Sequence, residues 1–121
     1  MEERLFTCDS EGMAAAQGFL ESVCDEPKPA VIMDEIVSNI VRCSGADSFT
    51  LRLNRGADGL EMEFSDAGRS FDPTRDVAAP DVNAPIEGRG VGGLGIFMVK
   101  KMAKSIAYRR ADGRNVLTIR I

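Results

Sequence analysis

Histidine is missing from the chain altogether. That removes serine–histidine triads, most zinc sites and any phospho-accepting histidine. Cysteine is sparse: Cys8, Cys24 and Cys43 are scattered, odd in number and form no CxxC pair. This argues against a metal cluster, suits a reducing compartment and leaves each thiol as a small buried hydrophobe. No apolar run approaches the ~20 residues that span a bilayer, so neither a transmembrane helix nor a membrane partner is expected. Met1-Glu2-Glu3-Arg4 lacks the basic and apolar regions of a secretory signal, and the expected location is the cytoplasm. An excess of basic charge is also absent. Fifteen Lys and Arg face nineteen Asp and Glu, for a net charge of −4 and a pI of about 4.8. Direct nucleic-acid binding is therefore not expected.

What remains is 121 residues with 44% hydrophobic and 28% charged side chains, an ordinary globular mixture sized for a single domain over 1–121. Leu5 to Cys8 reads as an opening strand. Asp9 or Ser10 can cap a helix over about 11–25, in which Met13, Ala16, Phe19, Leu20 and Val23 recur at helical spacing. Asp25-Glu26-Pro27-Lys28-Pro29 breaks the chain, Pro29 suits the first turn of a second helix, and Gly45 stops that helix after about Ser44. Phe49, Leu51 and Leu53, then Leu60, Met62 and Phe64, alternate as two strands of a hairpin around Gly56-Ala57-Asp58-Gly59. A long irregular segment from Ala67 to about Gly92 follows; such stretches are usually functional or mobile. A helix from Gly93 to about Lys104 or Ser105 and a second hairpin around Asp112-Gly113 complete the chain. The order β-α-α-β-β-loop-α-β-β predicts a two-layer α+β sandwich.

Three clusters carry chemistry. On the second helix Met33, Ile36, Val37, Ile40 and Val41 make an apolar face, and Glu35, Ser38, Asn39 and Arg42 line a polar one. Many solvated helices look like this. Yet a carboxylate and a carboxamide four residues apart lie one turn from each other and can reach one ligand. The carboxylate can take a proton; the amide oxygen can hold a hard cation that keeps its other sites for water and phosphate. Asp66 ends the hairpin and is followed by Ala67-Gly68. It is either a simple strand-exit turn or a carboxylate placed to accept from an exocyclic amino group, with Gly68 letting a flat ligand approach. Gly88-Arg89-Gly90-Val91-Gly92-Gly93-Leu94-Gly95 opens into a helix, where exposed amides form an anion site and Arg89 adds charge at the rim. The text Gly90-x-Gly92-x-x-Gly95 also matches the dinucleotide fingerprint, but that site needs a preceding strand and a βαβ unit, and no Lys-Ser or Lys-Thr follows for a Walker motif.

Glu35-x-x-x-Asn39, Asp66-x-Gly68 and Gly92-Gly93-Leu94-Gly95, in this order, resemble the N, G1 and G2 boxes of the GHKL (histidine-kinase-like) ATPase superfamily. Asp66 to Pro73, Gly93 to Val99 and Asp112 to Thr118 resemble its anti-sigma-factor serine/threonine-protein kinase branch. The resemblance implies a Bergerat-type ATP-binding fold, with a mixed, mainly antiparallel sheet, helices on one face and an ATP lid at about 74–92. It implies Glu35 as general base, Asn39 as Mg²⁺ ligand and Asp66 as reader of the adenine amino group, with Gly68 beneath the base. It further implies Gly90, Gly92, Gly93 and Gly95 as phosphate cradle, Arg89 near a phosphate-contacting arginine, and Thr118 as a hydroxyl supporting Asp66. Cys43 departs from the pattern where relatives often carry an aromatic or histidine, and Ser70 where many carry proline.

The activity so implied is Mg-ATP-dependent phosphorylation of a STAS-domain anti-sigma factor antagonist, with a sigma factor as the competing partner; a homodimer is compatible with it. The alternative is a non-catalytic ATP/ADP-binding module that sequesters a protein regulator.

Overall fold

Period-two alternation on the central strands and 3.6-residue periodicity on the helices give each element one apolar face, and the fold stacks these faces. The computed structural model describes residues 2–75 and 93–121. The elements are β1 (Glu2–Thr7), α1 (Ser10–Val23), α2 (Pro27–Asn39) with a terminal π-helical turn (Ile40–Ser44), β2 (Ser48–Gly56), β3 (Gly59–Asp66), α3 (Gly93–Met102), β4 (Ser105–Ala111) and β5 (Arg114–Arg120). Most of the lid expected at about 74–92 lies outside the described residues.

The strands form one sheet in the order β1-β2-β3-β5-β4, and each neighbouring pair is antiparallel. The sheet expected to be mixed and mainly antiparallel is thus antiparallel throughout the described residues. They hold no βαβ unit of the kind a dinucleotide fingerprint requires. The helices share one face of the sheet: Ala16, Phe19 and Leu20 of α1, Ile32, Met33, Ile36 and Val37 of α2, and Ile96 and Val99 of α3 join the strand residues in one core. Each large apolar side chain buried there contributes about 1.5–3 kcal/mol. Phe6 meets Phe19 and Phe49 at ring-centroid distances of 5.8 and 5.6 Å, tying β1 to both layers.

Strand register sets where the site lies. Leu53, Met62 and Ile119 form one row across β2, β3 and β5; Leu51, Phe64 and Leu117 form the next; Phe49, Asp66 and Asn115 form the third. The core-facing stripe therefore turns polar at one end of the sheet, at Asp66 and Asn115, both buried. The hairpin turns suit their residues. Asp112 and Gly113 take φ of 53° and 75°, a two-residue turn with both centres left-handed, which explains the Asp-Gly pair.

Two element ends and one burial differ from expectation. α1 ends at Val23 because Cys24 is extended and its N–H closes on the Leu20 carbonyl at 2.8 Å. α3 ends at Met102 because the Lys104 N–H instead donates to the Arg120 carbonyl at 2.7 Å, entering the sheet. Val41, placed on the apolar face by a uniform helical period, is 40% exposed. It lies within the π-helical turn, whose wider winding shifts the residues after Asn39 off the α-helical stripe. Gly45, at φ 69°, then stops the helix as expected.

Asp9 caps α1: its Oδ1 accepts from the Thr7 hydroxyl and the Gly12 amide, each at 2.7 Å. These two bonds, the hydroxyl first, hold the Asp9 carboxyl below the ordinary value of 3.8. A carboxylate with a lowered native pKa stabilises the fold above its unfolded pKa, and that stabilisation is lost as pH falls through the native value. The melting temperature of Asp9→Ala should therefore lie below wild type at neutral pH, with the gap closing as pH falls below 3.8. Melting curves taken from pH 7 down to pH 3 check this; a gap constant with pH would refute it.

Candidate active site

The polar face of α2 converges on Asn39, which is only 2% exposed. Its Nδ2 donates to the Glu35 carbonyl at 2.9 Å and to Glu35 Oε1 at 3.3 Å. Its Oδ1 accepts from Arg42 Nη2 at 3.1 Å, and the same nitrogen lies 4.0 Å from Glu35 Oε1. The amide orientation follows from the chemistry: a flipped amide would set its oxygen against the Glu35 carbonyl and its NH₂ against a guanidinium. Ser38 contributes its carbonyl, which accepts from Arg42 Nε at 3.3 Å.

Beside this face lies a narrow pocket at the polar end of the sheet, with an enclosed space of about 20 Å³, room for about one water. Ile36, Ile40, Phe64, Phe71 and Leu117 form apolar walls, and Asn39, Asp66 and Asn115 supply polar groups. Asp66 Oδ1 accepts from the Gly68 amide at 3.0 Å and from Asn115 Nδ2 at 3.1 Å. Among the described residues its Oδ2 accepts no hydrogen bond. Apolar walls and one unshared carboxylate oxygen match the chemistry of a flat heteroaromatic ring that presents an amino group, and the pocket must widen to admit one. Asn115 is saturated. Its Oδ1 accepts from the Phe71 amide at 3.1 Å, the Tyr108 hydroxyl at 2.5 Å and Arg110 Nη1 at 3.1 Å, and its Nδ2 also donates to the Arg69 carbonyl at 2.8 Å.

Thr118 does not stand beside Asp66. It pairs with Glu63 and Ala107, one residue out of phase with the core-facing Leu117 and Ile119. The side chain that supports Asp66 is Asn115, whose register partner is Asp66 itself. The sequence held this signal. Leu117 and Ile119 fix the inward parity of β5, which Asn115 shares and Thr118 does not; the apolar Val116 between them blurs the alternation. Arg89, Gly90 and Gly92 lie outside the described residues.

The glycines act through close approach. A Cβ on Gly68 would strike the Ser44 carbonyl and side chain, and the neighbouring Arg69 amide donates to that carbonyl at 2.9 Å. Gly68 therefore docks the loop after β3 onto the π-helical turn. A Cβ on Gly95 would overlap the Glu35 carboxylate, so α3, which starts at Gly93, brings its first turn directly against Glu35. On the other side of Glu35, an open groove of about 1000 Å³ runs past Ser38, Val41 and Arg42 toward Asp9 and Met13. Cys8 supplies no nucleophile here: burial, then the charges of Asp66, Asp47 and Asp9, push its thiol up and keep it protonated.

The described residues contain no group of three or more acidic or cysteine side chains able to hold a metal ion. The donor set at Asn39 is one buried amide oxygen, next to a carboxylate and already facing a cationic group. The amide oxygen is of the kind Mg²⁺ takes, with water and phosphate in the ion's remaining positions, but here the Arg42 guanidinium already donates to it.

A family model described as the histidine kinase-like ATPase domain matches residues 10–121. The chain belongs to this family. The serine-protein kinase RsbW of Bacillus cereus is 29% identical over 112 residues, which cover 88% of this chain and 69% of the relative. Both findings bear out the resemblance read from the boxes, and the antiparallel sheet with helices on one face is consistent with the α+β fold that the resemblance implied. Arg42, Tyr108 and Asn115 bound the site and have no role in it from sequence. Arg42 was visible on the polar stripe of α2. Tyr108 becomes legible only once β4 is in register with β5.

Asn115→Ala leaves the Phe71 amide, the Tyr108 hydroxyl and one bond to Asp66 without their partner, and should cost about 2–4 kcal/mol in urea unfolding. Thr118→Val should stay within about 0.5 kcal/mol of wild type. Equal effects at the two positions would contradict this placement.

Proposed function

We propose that this chain is a Mg-ATP-dependent serine/threonine-protein kinase of the anti-sigma type. It phosphorylates a STAS-domain antagonist and controls a sigma factor by partner switching. The observation that carries the reading is the place of Asn39, which lines one pocket with Asp66 and hydrogen-bonds Glu35 of a second. The first has apolar walls and the unshared Asp66 oxygen, and the second is the open groove. Adenine bound in the pocket would present its amino group to Asp66. Asn39 would hold Mg²⁺, which when bound neutralises phosphate charge. Glu35, against the first turn of α3, takes the proton from a serine or threonine hydroxyl that enters along the groove, whose oxygen bonds to the γ-phosphorus of ATP as the bond to the departing ADP breaks. Support for the protein-kinase assignment comes from the RsbW relative, itself named a serine-protein kinase.

The second reading is a non-catalytic ATP/ADP-binding module. It draws on the engagement of Arg42 with Asn39 and its approach to Glu35, groups that the kinase chemistry needs unencumbered.

Mg-ATP at one hundred times its dissociation constant should stabilise the fold by about 2.7 kcal/mol. Asp66→Asn should weaken nucleotide binding about tenfold or more, since a hydrogen bond to a charged group contributes about 1.5–3 kcal/mol. Unfolding with and without Mg-ATP measures the first, and calorimetric titration with ATP and ADP the second. Glu35→Ala should keep nucleotide binding and lower phosphotransfer to a STAS-domain substrate at least about 100-fold. A wild-type protein that binds Mg-ATP and phosphorylates no STAS-domain partner would establish the second reading.

A further inference from the structure

We propose that Arg42 is a resident counter-cation for the Asn39 carboxamide, which a divalent ion must displace to gain that oxygen. The proposal rests on the reading of Asn39 as the Mg²⁺ ligand. It concerns a residue outside the acid–amide pair, one that sets how much free Mg²⁺ the site requires.

Four observations carry it. First, Arg42 Nη2 is 3.1 Å from Asn39 Oδ1, the atom that would ligate the ion, and 4.0 Å from Glu35 Oε1. One nitrogen thus addresses both partners. Second, the carboxamide cannot offer a different oxygen, because its NH₂ is committed to the Glu35 carbonyl at 2.9 Å and to Oε1 at 3.3 Å. Third, the guanidinium is held lightly enough to leave. Its side chain is 35% exposed, its remaining bond is a long 3.3 Å contact to the Ser38 carbonyl, and its approach to Glu35 is beyond hydrogen-bond distance. Fourth, Arg42 lines the open groove together with Asp9, so a displaced guanidinium has water and a second carboxylate nearby.

Charge decides that the two cations exclude each other. Arginine stays protonated at any accessible pH, and its carboxylate neighbour balances it one to one. A divalent ion added to the same oxygen would face a like charge at hydrogen-bond range, which disfavours joint occupancy. Mg²⁺ also gives up hydration water reluctantly, so it competes poorly for an oxygen that already accepts from a guanidinium. The result is a raised magnesium requirement with the nucleotide pocket itself unchanged, because Arg42 does not line the pocket that holds Asp66.

The test is binding of a fluorescent ADP analogue at fixed concentration, titrated with Mg²⁺, on the full chain. Wild type, Arg42→Ala, Arg42→Met and Asn39→Ala are compared. Arg42→Met keeps the packing of the stem if the alanine variant fails to fold. Removing the guanidinium should lower the half-saturating Mg²⁺ about three- to tenfold, from the usual strength of a partly exposed charged hydrogen bond. An unchanged or higher midpoint in both folded Arg42 variants overturns the proposal, and leaves the Asn39 reading standing if Asn39→Ala raises the midpoint. A wild-type midpoint in Asn39→Ala, or no Mg²⁺ dependence in wild type, overturns the reading and the proposal together.

Discussion

Asn115 and Asp66 meet at the one place where the core-facing stripe of the sheet stops being apolar. A buried carboxylate is costly unless its oxygens are satisfied, and a buried carboxamide is costly unless both its ends are. Each meets part of the other's need through a 3.1 Å bond between neighbouring strands. Asn115 then uses its remaining capacity on the Phe71 amide, the Arg69 carbonyl, Tyr108 and Arg110. The loop after β3, the aromatic wall on β4 and the acceptor oxygen of Asp66 are all placed by that single amide.

The second set of constraints runs along α2. A regular helix delivers Glu35 and Asn39 to one face. The π-helical turn that follows sets Ser44 against Gly68, where no side chain fits. The loop carrying the Asp66 pocket and the helix carrying Glu35 are thereby pressed together without a salt bridge between them among the described residues. Gly95 does the same from α3, allowing that helix to close on Glu35. In both cases the absence of a Cβ fixes distance between parts of the site, a role distinct from conformational freedom.

Much of this was legible in the sequence because it rests on local pattern. Alternation at Phe49–Leu53 and Leu60–Phe64 found the central hairpin, Asp-Gly found the last turn, and Gly45 marked the helix end. The pairing of Glu35 with Asn39 followed from helical geometry alone. What escaped depended on partners far apart in the chain or on local departures from ideal helices. The resemblance points to Thr118, and it is the β3–β5 register, which sets Asn115 opposite Asp66, that shows Thr118 to lie out of phase with the core-facing residues. Val41 was placed inward because one period was assumed to run through to Ser44. Arg42 was seen as part of a stripe, but its grip on the Asn39 oxygen depends on side-chain reach that spacing does not encode.

Beside its edge strand β1, the sheet is built of two local hairpins, β2–β3 and β4–β5, joined by the β3–β5 ladder, with Asp66 and Asn115 near one end of that seam. Asp66 belongs to the first hairpin and its support to the second. A molecule gripped at this point is therefore held by two halves of the chain that are remote in sequence. Opening the seam would dismantle the grip, so occupancy opposes separation of the hairpins as well as motion at the pocket rim. The pocket in this way acts as a fastener, and whatever fills it strengthens the junction on which the integrity of the sheet depends.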